Sequence, residues 1–173
     1  MNADVPRLSR SCDDLLAQIA DLVRAVGEEA LTRPALGGGG SAAAHLRHCL
    51  EYFGCFLGGL PRSIVDYDER PRDPTLERDP RAILARVADQ RRTLAERVSN
   101  GPDAPLRVRA DEVDAAAEEG FLDSCVSREL RALASHTVHH LAIVALLLRL
   151  QGVAVDAQLG VAPSTRAHWR RAG

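Results

Sequence analysis

Ser135-His136-Thr137-Val138-His139-His140-Leu141-Ala142-Ile143-Val144-Ala145-Leu146-Leu147-Leu148 is the stretch from which the fold is read. It lies inside a longer segment, Phe121 to Gln151, that contains neither Gly nor Pro and consists of good or neutral helix formers. A helix turns by about 100° per residue, so His136 and His140 stand one above the other on one face. The apolar run that follows is the most hydrophobic in the chain, which points this face into an interior. Imidazoles aimed into a core are candidate ligands for a metal ion.

Three further segments carry helical periodicity. Ser11-Cys12-Asp13-Asp14 resembles a capping box, and Leu15, Leu16, Ile19, Leu22, Val23 and Val26 follow at steps of three and four, predicting a first helix that ends near Thr32-Arg33-Pro34. The glycine run Gly37 to Gly40 is not followed by the Lys of a phosphate-binding loop; it reads as a loop with Ser41 as the next N-cap. A second helix is expected from Ser41 to Leu60, with Leu46, Leu50, Phe53, Leu57 and Leu60 as its buried stripe and Pro61 as its stop. Arg62 to Arg81, with its alternating charges and prolines, reads as a solvated crossover along the outside of a bundle. Asp79-Pro80 is an N-cap followed by a first-turn proline. The third helix therefore carries Ile83, Leu84, Val87, Leu94 and Val98 and stops at Asn100-Gly101-Pro102. Leu106-Arg107-Val108-Arg109-Ala110 alternates and predicts a short strand or extended loop; Glu118-Glu119-Gly120 predicts a turn. The fourth helix is expected from Ser124 or Ser127 to Gly152, and Trp169 is the residue that would dock the mixed tail. The expectation is an all-α chain, one domain over residues 1–173, forming a four-helix bundle.

Composition narrows the function classes. Aromatic residues are 3 % of the 173 residues, so the core is built from Leu, Val, Ile and Ala, which suits packed helices. All 22 basic residues are Arg, which we attribute to GC-rich bacterial coding, and with 24 acidic residues and a net charge of −2 no nucleic-acid partner is expected. The N-terminal residues have no signal-peptide character, Leu141 to Leu148 is too short an apolar run to cross a bilayer, and Cys12, Cys49, Cys55 and Cys125 show no paired spacing. A cytoplasmic protein with reduced thiols and no membrane partner is expected.

Five of the six histidines fall on two helices: His45 and His48 on the second, His136, His139 and His140 on the fourth. Imidazoles converging from two helices can hold Zn, Ni or Fe as a divalent ion, and three ligands leave a coordination position open, as catalytic sites require. Such an ion lowers the pKa of a bound water or thiol. No Glu follows His136, so the His-Glu-x-x-His pattern of zinc proteases and its general base are absent. Periodicity places His45 about 80° and His48 about 140° from the centre of the second helix's apolar arc, which favours His45 as the inward residue. His139 lies about 60° from the His136–His140 face and is read as a supporting or core residue. Cys49 and Cys55 read as small core residues.

Ser41 with His48-Cys49-Leu50-Glu51, then Ser135 to His140 on the last helix, resembles the DinB-like (YfiT-like) superfamily over residues 10–152. Asp66-Tyr67-Asp68 and Arg128-Glu129-Leu130 resemble features of one of its branches. The resemblance implies an up-down-down-up bundle, a homodimer, and a divalent metal held by His48, His136 and His140, with His45 the alternate for His48. It also implies a thiol S-transferase or hydrolase acting on a small-molecule substrate, with a low-molecular-weight thiol as co-substrate. Arg-Gly-Gln, which often follows the last family His, is Leu141-Ala142-Ile143 here, and that departure bears on the substrate. Glu129, seven residues before His136 on nearly the same face, is the candidate catalytic base; pairing with Arg128 or Arg131 is its alternative role. Glu51 and Tyr52 are candidates to orient His48. The rival reading is a non-catalytic bundle serving dimerisation or small-ligand binding.

Overall fold

The computed structural model describes residues 4–35, 38, 40–109, 120–162, 165, 168–169 and 171. Helix α1 spans Asp4–Ala25, beginning well before the expected start at Ser11. Val5, Leu8 and Cys12 carry the apolar stripe back by two turns, and Pro6 is tolerated because first-turn N–H groups have no helical partner. The expected capping box is therefore mid-helix, and Asp13 instead takes two hydrogen bonds from Arg91, at 2.7 and 2.8 Å. The helix also stops earlier than expected. Gly27 is extended (φ −65°, ψ 149°), and a separate short helix, α2, covers Glu28–Thr32.

Helix α3, Ala42–Gly59, matches expectation: the Ser41 hydroxyl accepts from the Ala44 N–H at 3.1 Å. The crossover does not. After a 3-10 turn it forms strand β1, Ile64–Asp66, and a short helix α4, Thr75–Arg78, and it buries Val65, Tyr67 and Leu76. Glu51, buried on α3, anchors it by accepting from the Asp73 N–H at 2.7 Å and from Arg47 at 2.8 Å. Helix α5, Pro80–Arg97, starts at the expected Asp79 cap.

Strand β2, Pro105–Arg109, buries Leu106 and Val108 as its alternation predicts. It pairs in parallel with β1 and antiparallel with β3, Leu122–Cys125, giving the sheet order β1-β2-β3. The all-α expectation is corrected accordingly: the protein is mostly helical with a three-stranded sheet. Strand β3 has no alternation of its own; Leu122 and Asp123 are both exposed, and pairing with β2 alone defines it. The turn expected at Glu118-Glu119-Gly120 falls largely outside the described residues.

Helix α6, Val126–Leu150, closes with Gly152 at φ +78°. The Gly152 N–H reaches the Arg149 carbonyl and the Val153 N–H the Leu148 carbonyl, both at 2.9 Å, which satisfies carbonyls the helix leaves free. By length and composition α6 could cross a bilayer, yet Leu130, Leu133, Leu141, Val144 and Leu148 are buried and the helix packs on α1 and α3. α5 packs on α1 and α3 as well, and one apolar cluster joins these helices, with Phe53 and Phe56 its largest members. Trp169 is exposed; the tail docks instead through buried Leu159 and through Gly160, where a Cβ would stand 2.2 Å from the Ala142 nitrogen.

Two neighbouring glycines of α3 test the contact between this helix and the sheet. A Cβ on Gly59 would meet the Ile64 carbonyl oxygen at 2.3 Å, whereas one on Gly58 meets nothing within 4 Å. Gly59→Ala should displace β1 and cost about 1–3 kcal/mol in denaturant unfolding. Gly58→Ala should be neutral or gain up to ~1 kcal/mol, because alanine is the better helix former. Equal effects of the two substitutions would contradict the close approach.

Candidate metal centre

The packing of α3 against α6 determines which histidines meet. His48 faces both α6 histidines, with ring centroids 4.9 Å from His136 and 4.7 Å from His140. His136 and His140, one turn apart, are 4.5 Å from each other. One ring nitrogen from each of these three residues lies within 4.8 Å of the others, and all three side chains are half-buried. His136 Nε2 is buried and has no hydrogen-bond partner. Such a stranded donor or acceptor costs free energy unless something binds it.

These rings are held neutral. Partial burial, the largest cause, pushes the pKa values of His48, His136 and His140 down to about 4, and each is lowered further by a neighbouring histidine. Arg70 contributes to the lowering at His48 and His136. Neutral imidazole is the form that ligates metals, and the donor set of three nitrogens fits a divalent ion of the zinc, nickel or iron type.

His45, one turn before His48, approaches the group from the side. Its Nδ1 is 3.0 Å from His140 Nδ1, so it engages one of the three rings. His139 is exposed and touches the edge of His140, at a centroid separation of 5.3 Å. Helical periodicity favours His45 as the inward residue, whereas the geometry groups His48 with His136 and His140; α3 is enclosed by α5, α6, α4 and β1, so one apolar arc does not single out the α6 side.

Tyr52 stacks on His136 at 4.3 Å and on Tyr67 at 4.9 Å. Arg70 lies over the Tyr52 ring at 4.7 Å and donates to its hydroxyl at 3.1 Å. Tyr67 and Arg70 carry no periodicity that would flag them, since both lie in the crossover; only the Asp66-Tyr67-Asp68 resemblance touched on Tyr67. Glu51, a candidate to orient His48, instead holds the crossover. Glu129 is fully buried and accepts from Tyr67 at 2.9 Å, from Ser124 and from Arg128 at 2.8 Å. It is linked to His136 through Tyr67 and the Tyr67–Tyr52 stack. Among the described residues no carboxylate is hydrogen-bonded to any of the clustered imidazoles. Burial pushes the Cys49 thiol up to about 12, which leaves it inert.

The profile of the DinB superfamily matches residues 12–144, from α1 through the histidines of α6. A curated protein of Rhizopus delemar, FK506-binding protein 5, is 29 % identical over 110 residues, which is 63 % of this chain and 28 % of that protein. This chain thus spans little more than a quarter of that relative. No solved structure matches.

The depressed imidazole pKa values set an acid limit on the metal-free protein. The unfolded chain binds protons near the ordinary value of 6.5, the folded one only near 4, so stability rises with pH between the two. The contribution is complete above 6.5 and is lost as the pH falls toward 4. Melting temperature in chelator should fall across that window, and His136→Asn should flatten the fall; a slope identical in variant and wild type would refute the cause.

Proposed function

The chain belongs to the DinB superfamily, and from that premise we propose that it is a metal-dependent enzyme whose His48, His136 and His140 hold one divalent ion. Its four long helices form the superfamily's up-down-down-up bundle, with the sheet as an addition to the crossover side. The observation that carries the proposal is the convergence of three neutral nitrogens within 4.8 Å, one of them the buried, partnerless Nε2 of His136.

A bound divalent ion supplies Lewis acidity that lowers the pKa of a thiol or water. The chain's own residues do the rest. Tyr52, stacked on His136 and edge-on to His48 at 4.8 Å, walls one side of the centre and limits how the ligand rings can turn. Arg70 fixes Tyr52 through its hydroxyl and ring face and adds positive charge beside the site. Among the described residues no carboxylate hydrogen-bonded to the histidines offers itself as a general base. That favours a nucleophile needing little help to ionise: a thiol, with a pKa of about 8.5, over water at about 15.7. The reading is therefore transfer of a low-molecular-weight thiol to a small electrophile, with metal-assisted hydrolysis as the second choice. Glu129 is assigned to holding Tyr67, not to proton transfer. The ligand named for the Rhizopus protein is not carried over, because the likeness covers 28 % of that protein.

Metal analysis of the purified protein decides the first half. The wild type should take up one equivalent of zinc, nickel or iron, and His48→Ala, His136→Ala and His140→Ala should each lose it. At a free metal concentration about 100 times Kd, binding adds ~2.7 kcal/mol, a rise of roughly 5–10 °C in Tm for a chain of this size that chelator should reverse. Well-folded wild type that takes up none of the three metals would end the proposal.

A further inference from the structure

His45 lies outside the three-nitrogen group, yet its Nδ1 is 3.0 Å from Nδ1 of His140, with the two rings tilted by 35°. A contact that short between two ring nitrogens requires one N–H and one lone pair. The direction of this bond follows from the metal reading. A ligating imidazole nitrogen must be unprotonated, and with Nδ1 of His140 committed to His45, the nitrogen left for a metal is Nε2. A neutral His140 ligating through Nε2 carries its only ring proton on Nδ1, so Nδ1 donates. His45 then accepts at Nδ1 and carries its own proton on Nε2. That Nε2 lies toward Gly40, before α3: a Cβ built on Gly40 would stand 4.0 Å from it. The last glycine of the run thus borders the imidazole that orients His140.

We infer that His45 is a positioning residue for the metal centre and not a ligand, accepting a hydrogen bond from the Nδ1–H of His140 so that Nε2 of His140 is left free to ligate. Its consequence for affinity rests on the proposed metal site; the bond itself belongs to the metal-free protein. Metal-bound histidines commonly hand their second N–H to a carboxylate or carbonyl, and loss of that partner weakens binding about 10- to 100-fold. Here another neutral histidine takes that place, supplied by the same helix that supplies His48.

The side chains that replace His45 separate the roles. Asn carries its Oδ1 where His carries Nδ1, whereas Gln extends toward the Nε2 position, and Ala offers neither. In zinc competition titrations His45→Asn should stay within a few-fold of wild type, while His45→Ala and His45→Gln weaken binding by about 10- to 100-fold. Long-range ¹H–¹⁵N spectra of the wild type should show His140 as the Nδ1–H tautomer in both metal-free and zinc-loaded protein. An Asn variant as weak as the Ala variant overturns the inference, as does X-ray absorption counting four imidazoles on zinc. If the wild type binds no metal, the proposed function fails, but the tautomer still decides this point: His140 found as Nε2–H in the metal-free protein overturns it.

Discussion

Helix α3 packed against helix α6 is the contact on which the remaining features depend. It brings His48 against both His136 and His140 and His45 against His140. The imidazoles share a half-buried space in which protonating one raises the cost of protonating the next. Leu46 and Leu50 on α3, and Leu133, Leu141 and Val144 on α6, are buried in the apolar cluster that holds the two helices. Fully burying an aliphatic side chain of this size contributes about 1.5–3 kcal/mol. A stranded ring nitrogen costs about 1–3 kcal/mol. A few such side chains outweigh that cost, so the helices can present His136 Nε2 without a partner.

The sheet extends the same logic to the other end of the site. β1 returns the crossover to the surface of α3 at Gly59, where only hydrogen fits, and so delivers Tyr67 into the core. Tyr67 is then fixed twice, by its bond to buried Glu129 and by its stack on Tyr52. Glu129, with no exposure of its own, needs several donors to remain buried, and Tyr67, Ser124 and Arg128 provide them. Ser124 belongs to β3 and Glu129 to α6, so this cluster locks the start of α6 to the sheet. A carboxylate that reads in sequence as a candidate base is thereby explained as the anchor of an aromatic stack that ends on His136.

The four long helices and the caps at Ser41, Asp79 and Gly152 were legible because local chemistry decides them: each of those residues acts at the position its type favours. The start of α1 was not, since Ser11 and Asp14 imitate a cap while Val5 and Leu8 continue the stripe behind it. β3 and the course of the crossover were hidden for a different reason. Leu122-Asp123-Ser124-Cys125 becomes a strand only through pairing with β2, a non-local contact that no pattern within the segment records. At the site, the shared face of His136 and His140 was legible from spacing alone. Choosing between His45 and His48 needed the direction of α6 as seen from α3, and a helix enclosed on several sides does not reveal that in its apolar arc.

Charge completes the argument about chemistry. Three neutral imidazoles cancel none of the charge of a divalent ion, and Arg70 adds its own beside Tyr52. Once loaded with a divalent ion, the histidine group would be a local positive well. Such a well stabilises an anion against its conjugate acid, and a thiolate gains from that directly. A site built to split amides would need a proton acceptor at hand for water, and the carboxylates nearest in sequence, Glu51 and Glu129, are both spent on holding the fold. The placement of the acids, as much as that of the histidines, is what turns the reading from hydrolysis toward thiol transfer.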